Sequence, residues 1–216
     1  MSDPHAGSPV LAAGPPLSDA DGVVVFIHGR GASARSILTL AQEADPNRED
    51  LAYLAPQASV VGYGPSWYPY SFLAPLEQNE PYLASALNRL DALVHEITEA
   101  GVSREKVALV GFSQGACLAS EYVAQNAQRY GGLCALSGGL IGPPGTPRDY
   151  SGALHGTPVF LGCSDIDPHI PLTRVEETGD VMRRLGASVD QRIYAGMGHT
   201  VNAEEVYILR EMLEAL

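Results

Sequence analysis

A mostly parallel β-sheet wound with helices on both faces is the fold this 216-residue sequence predicts. Three observations lead there. Short apolar runs rich in β-branched residues alternate with stretches of helical periodicity as far as the C-terminus. The runs are nearly all apolar, as strands buried on both faces must be. No internal repeat, low-complexity tract or linker interrupts the alternation, so one domain over 1–216 is expected, with 1–20 partly extended or flexible.

In chain order, Val10 to Ala13 reads as a short outer strand closed by the turn Gly14-Pro15-Pro16. Strand 23–28 carries Val23, Val24, Val25, Phe26 and Ile27, and helix 34–44 follows it. Strand 51–55 comes next. Helix 80–100 is the best supported, with Leu83, Leu87, Leu90, Val94 and Ile97 on one stripe, Asn79 as its N-cap and Gly101 just past its end. Strand 106–111 leads into helix 114–128, whose opening residues Gly115, Ala116 and Ala119 are small enough to approach a sheet closely. Strands 132–137 and 157–163, helix 171–185, strand 188–194 and helix 203–216 complete the pattern.

One connection is too long. Residues 56–78 show no periodicity, and connections of that length in a compact domain are usually functional or disordered. Tyr63, Trp67, Tyr68, Tyr70 and Phe72 fall within ten positions there. Such a loop needs an apolar surface to lie on or an apolar ligand to cover.

Composition narrows the function. Thirteen Lys and Arg against 25 Asp and Glu give a net charge of −12, and 45% of residues are hydrophobic. A chain this acidic is repelled by phosphate backbones and anionic headgroups, so neither nucleic acid nor stable membrane association is expected. The first twenty residues lack the basic start and apolar stretch of a secretory signal. Cys117, Cys134 and Cys163 sit in apolar surroundings, as buried thiols of a reducing cytoplasm do, and no CxxC or Cys/His metal spacing occurs. A cytoplasmic protein without metal or cofactor is the expectation.

The chemistry centres on Gly111-Phe112-Ser113-Gln114-Gly115, a G-x-S-x-G pattern set between a buried strand and a helix. Such a turn holds a serine in a strained conformation with its hydroxyl exposed. A serine hydroxyl becomes nucleophilic only when a base removes its proton and an acid fixes the base. In this arrangement the acid and then the histidine follow the serine in sequence. Of the downstream histidines, His155 precedes its strand and His169 lies in the acid loop. His199, in Gly196-Met197-Gly198-His199, follows the last strand, where a loop can reach back over Ser113. The acid is expected in the loop after strand 157–163, where spacing leaves Asp165 and Asp167 both open. For the oxyanion, the donors expected are the backbone N–H of Gln114 and that of Arg30 in His28-Gly29-Arg30-Gly31, with the Arg30 side chain pointing elsewhere and His28 structural.

Together His28-Gly29-x-Gly31, Trp67, the G-x-S-x-G turn, Leu136-Ser137-Gly138, Asp165-x-Asp167-Pro168-x-Ile170-Pro171 and Gly198-His199 resemble the α/β-hydrolase family of small carboxylesterases, lysophospholipase-like enzymes and acyl-protein thioesterases. The resemblance implies the α/β-hydrolase fold without a large cap domain. It also implies Asp167 as the acid, the Arg30 and Gln114 backbones as the oxyanion hole, and possible homodimers. Where acyl-protein thioesterases carry an acidic residue after the HGxG loop and a Trp-Phe-Asp segment, this chain has Gly31-Ala32-Ser33 and Trp67-Tyr68-Pro69. The expectation is therefore an esterase acting on small, soluble, short- to medium-chain substrates, with Trp67, Tyr68, Tyr70 and Phe72 in the substrate wall. Thioester or lysophospholipid hydrolysis is the nearest rival, and a non-catalytic binding protein of the same fold the more distant one.

Overall fold

The computed structural model describes residues 3–45 and 49–216. Among these residues nine strands and six α-helices run in the order β1 (Val10–Ala13), β2 (Gly22–Ile27), α1 (Ala34–Ala44), β3 (Leu51–Pro56), β4 (Val60–Val61), β5 (Gly64–Pro65), α2 (Leu76–Asn79), α3 (Tyr82–Glu99), β6 (Val107–Phe112), α4 (Gln114–Gln125), β7 (Gly132–Leu136), β8 (Pro158–Ser164), α5 (Leu172–Arg184), β9 (Ser188–Tyr194) and α6 (Ala203–Glu214). Seven strands form one sheet in the order β1-β3-β2-β6-β7-β8-β9, parallel except for β1, which lies antiparallel on β3. This is the mostly parallel α/β-hydrolase sheet the sequence predicts.

The all-apolar strands are divided by the two-residue period of the pleat. Val23, Val25, Ile27 and Leu109 face one core, closed by α3, α4 and α5 through Leu90, Leu118 and Val175 among others. Val24, Phe26, Ala108 and Val110 face the other, closed by α1 and α6 through Ile37, Leu40, Leu209 and Leu213. Each inner strand thus needs apolar residues at every position. From β2 the chain steps outward to β3, then returns across β2 to lay down β6 on its other side. The order reverses there, and in open α/β sheets a crevice forms at the C-terminal ends of the two strands flanking such a reversal. Ile27 and Gly111 pair in register at those ends, bringing the loops that begin at His28 and Ser113 side by side.

Several expectations change. Strand β9 is not apolar: Asp190, Gln191 and Arg192 lie along a partly exposed edge, where charge discourages pairing with another chain. Helix α4 ends at Gln125 rather than 128. Asn79 does not cap the long helix, which starts at Tyr82 after Pro81 with no side-chain cap. The long connection contains the β4–β5 ribbon and the short α2. Of 1–20, residues 1 and 2 lie outside the description, Val10–Ala13 is the extended strand β1, and the stretch before it is pinned at His5. His5 is fully buried, accepts from the Ser59 N–H and donates from Nε2 to the Trp67 carbonyl at 2.9 Å. Burial lowers its pKa and keeps the ring neutral.

The chain between β7 and β8 has no strand or long helix of its own, and buried charges hold it. Arg174 donates to the carbonyls of Leu140 and Gly142, and Arg148 to that of Ile141. Glu177 pairs with both arginines at 2.8 and 2.9 Å. Buried charges persist when paired and hydrogen-bonded in this way. No helix among the described residues is long and apolar enough to cross a membrane.

Candidate active site

Ser113 sits between β6 and α4 with φ 56° and ψ −120°, a strained backbone that a non-glycine residue adopts only when its surroundings enforce it. The glycines on either side explain how. A Cβ on Gly111 would lie 2.4 Å from the Gly115 carbonyl oxygen, and one on Gly115 would lie 2.0 Å from that of Ile27. Only bare backbone lets α4 approach β2 this closely. The Ser113 N–H is tied to the Leu136 carbonyl at 2.9 Å.

His199 reaches Ser113 from the loop after β9. Its Nε2 lies 2.8 Å from Ser113 Oγ and its Nδ1 lies 2.7 Å from Asp167 Oδ2. An ionised carboxylate only accepts, so Nδ1 carries the proton and donates to Asp167, leaving Nε2 to accept from the Ser113 hydroxyl. The carboxylate is enclosed and also accepts from the His169 and Ile170 N–H groups, at 2.8 and 3.0 Å. Burial alone would raise its pKa, but hydrogen bonds from His199 and these two N–H groups outweigh that and hold it below the ordinary value. Asp165 is the other aspartate of the loop. Its Oδ1 accepts from the Gly196 N–H at 2.8 Å, which fastens the histidine loop rather than the imidazole. The far side of that loop ends in a capping box, where Asn202 Oδ1 accepts from the N–H groups of Glu204 and Glu205. The His199 ring is braced by Phe112 at 5.0 Å and by His169, edge-on, at 4.8 Å.

A cavity of about 480 Å³ opens over Ser113 and His199, lined by Gly29, Arg30, Gln114, Cys117, Ile170 and the 68–72 segment, among others. Gln114 is the first residue of α4, so its N–H precedes the helix's own hydrogen bonds. Tyr68, Tyr70 and Phe72 line the cavity as expected. Trp67 does not. It lies fully buried behind the wall, with Nε1 donating to the His28 carbonyl at 2.8 Å and its ring 5.1 Å from that of His28. A buried indole N–H needs an acceptor, and this one finds it beneath the HGxG loop. Tyr63 is fully exposed and away from the cavity. His28 has the structural role expected: Nδ1 donates to the Gly29 carbonyl, Nε2 accepts from the Ala58 N–H, and burial lowers its pKa.

Sequence reasoning missed how the aromatic segment is held. Gln114 accepts from the Trp67 N–H at 3.0 Å and donates to the Tyr68 carbonyl at 2.9 Å. Asn79 accepts from the Tyr70 N–H at 2.8 Å and donates to the Ser71 carbonyl at 3.0 Å. The Arg30 guanidinium donates to the carbonyls of Pro69 and Tyr70 on the cavity wall. No sequence spacing encodes these contacts between distant segments. Burial pushes the Cys117 thiol up to about 12, so it stays protonated beside the serine.

A sequence model of the phospholipase/carboxylesterase family matches residues 12–216. Acyl-protein thioesterase 1 of Yarrowia lipolytica is 28% identical over 209 residues, covering 88% of this chain and 90% of that protein. Among solved structures, a phospholipase/carboxylesterase from Dyadobacter fermentans is 37% identical with a TM-score of 0.87, covering 96% of this chain and 97% of its own. Esterase PE8 is 26% identical with a TM-score of 0.77, at the same coverages.

Proposed function

The chain belongs to the phospholipase/carboxylesterase family of α/β-hydrolases, and on that premise we propose that it is a serine hydrolase of small, soluble carboxylic esters of short to medium chain length. The observation that carries this reading is the unbroken contact from Asp167 through His199 to Ser113 at the cavity floor, with steps of 2.7 and 2.8 Å.

In this mechanism Ser113 Oγ attacks the ester carbonyl carbon while His199 Nε2 takes the hydroxyl proton, and Asp167 stabilises the imidazolium. The backbone N–H groups of Arg30 and Gln114 receive the negative oxygen of the tetrahedral intermediate. As that intermediate collapses, the C–O bond to the alcohol breaks and His199 returns the proton to the leaving oxygen. Water, deprotonated by His199, then attacks the acyl-serine carbonyl, and the acid departs as Ser113 regains its proton. Tyr68, Tyr70 and Phe72 form the wall along which the substrate lies, and the volume suits a ligand of modest size.

Thioester hydrolysis is the second reading, favoured by the names of the curated relatives. Hydrolysis of p-nitrophenyl esters from acetate to palmitate, beside matched acyl thioesters, separates the two with the wild type and Ser113→Ala. Ser113-dependent turnover peaking at short or medium oxygen esters is the expected result. A preference for long-chain thioesters would replace it with the second reading, and turnover that survives Ser113→Ala would refute the mechanism.

A further inference from the structure

We propose that the cavity over Ser113 selects esters that carry an anionic group, a carboxylate in the simplest case, and that the guanidinium of Arg30 is the group that recognises it. The inference rests on the serine-esterase reading and deepens it by naming a substrate class.

The chain is strongly acidic overall, yet among the described residues no Asp or Glu lines this cavity, and Arg30 is the one Lys or Arg that does. Elsewhere, guanidinium groups both buried, as in Arg148 and Arg174, and exposed, as in Arg183 and Arg192, meet carboxylates. Among the described residues no carboxylate lies within ion-pair distance of Arg30; its partners are the neutral carbonyls of Pro69 and Tyr70, and its Cζ stands 5.9 Å from the centre of the Tyr68 ring. Arg30 is exposed at the cavity rim, and the partial burial the wall imposes is the main influence on its pKa and lowers it.

Holding a loop does not require that charge. Gln114 and Asn79 bind the Tyr68 and Ser71 carbonyls of the same segment with neutral amides. Arg30 does the equivalent task for the two residues between them while placing an uncompensated positive charge at the cavity wall. A guanidinium has five N–H donors in a planar fork, so two bonds to carbonyls leave donors for a carboxylate, which the fork fits in bidentate fashion. The other titratable groups at the cavity do not compete for this role. Asp167 is enclosed and engaged by His199, His199 is committed to Ser113, and His169 lies edge-on against His199. Tyr68 is fully buried, and burial holds its hydroxyl protonated.

Two ester pairs test the inference and separate an anion on the acyl side from one on the alcohol side. The first is 4-nitrophenyl hydrogen adipate against 4-nitrophenyl hexanoate; the second is 4-butyryloxybenzoate against 4-acetylphenyl butyrate. Each is measured with the wild type, Arg30→Gln and Arg30→Lys at low and at 0.5 M salt. In at least one pair the wild type should favour the anionic member in kcat/KM by about tenfold, the scale of a hydrogen bond to a charged group. Arg30→Gln should bring that ratio close to one even if both rates fall through loosening of the loop. Arg30→Lys should retain part of the preference, and salt should narrow it. A wild-type ratio at or below one in both pairs, or a ratio unchanged in Arg30→Gln, overturns the inference while Ser113-dependent turnover of the neutral esters leaves the esterase reading intact. Absence of Ser113-dependent turnover on all four esters overturns both.

Discussion

Glu205 gives the most quantitative prediction. It is the third residue of α6, fully buried, with Oε2 accepting from the Asn202 N–H at 2.8 Å. Its Oε1 has no hydrogen-bond partner and lies against Gly162 of β8, where a Cβ would come within 2.2 Å of it. Burial, with a smaller push from Glu204, raises the carboxyl from 4.5 to about 7 against the pull of the Asn202 N–H. Between those values the folded protein keeps a proton that the unfolded chain has released, so stability falls as pH rises through the window and the penalty is complete above it. The penalty is under about 1 kcal/mol at pH 5 and roughly 3 kcal/mol at pH 8, a change of about 2–3 kcal/mol. Glu205→Gln removes the titration and keeps a carbonyl acceptor for the Asn202 N–H. Thermal melts of both proteins from pH 5 to 8 at constant ionic strength should therefore diverge, the variant gaining roughly 5–10 °C relative to the wild type across that range. Comparing the change with pH, rather than the melting points themselves, cancels whatever the amide costs at every pH. Parallel curves would refute the reasoning.

Three further outcomes follow from the site. Asp167→Asn presents an amide N–H to His199 Nδ1–H and forces the wrong tautomer, so kcat should fall by about 10⁴, whereas Asp165→Asn keeps an acceptor for Gly196 and should lose less than about tenfold; steady-state rates giving equal losses would misplace the acid. Gly115→Ala drives a methyl group to 2.0 Å from the Ile27 carbonyl and should abolish soluble expression, so a folded, active variant would contradict the close approach of α4 to β2. Asn79→Leu strands the Tyr70 N–H and Ser71 carbonyl and should cost roughly 1–3 kcal/mol for each in urea melts. In the same variant KM should rise more than kcat falls, because the wall moves while Ser113 and His199 do not; the reverse split would show that Asn79 supports the reacting groups instead.

Much of this protein was legible before any coordinates. The inner strands announce themselves because a strand covered on both faces must be apolar at every position, as Val23 through Ile27 are. The Ser113 turn is legible because two glycines and a serine at that spacing answer a local steric demand. The polar β9 edge was misread because position in the sheet, rather than the strand's own residues, decides how much of it is exposed. Asn79 was misread for a related reason: Asn suits an N-cap and a loop clamp equally well, and only the location of Tyr70 and Ser71 chooses between them.

The sequence by itself determined the order of elements, the strained serine turn and the position of His199 after the last strand, since each follows from local pattern and chain order. Tertiary structure decided which aspartate meets the imidazole, that Trp67 supports the wall instead of lining it, and that the Arg30 guanidinium stays at the cavity. These depend on segments far apart in the chain, Asp167 and His199 being 32 positions apart and Ser113 and His199 86. Two aspartates two positions apart have nearly the same local sequence. The fold directs one carboxylate toward the ring and the other toward the backbone of the loop that carries it.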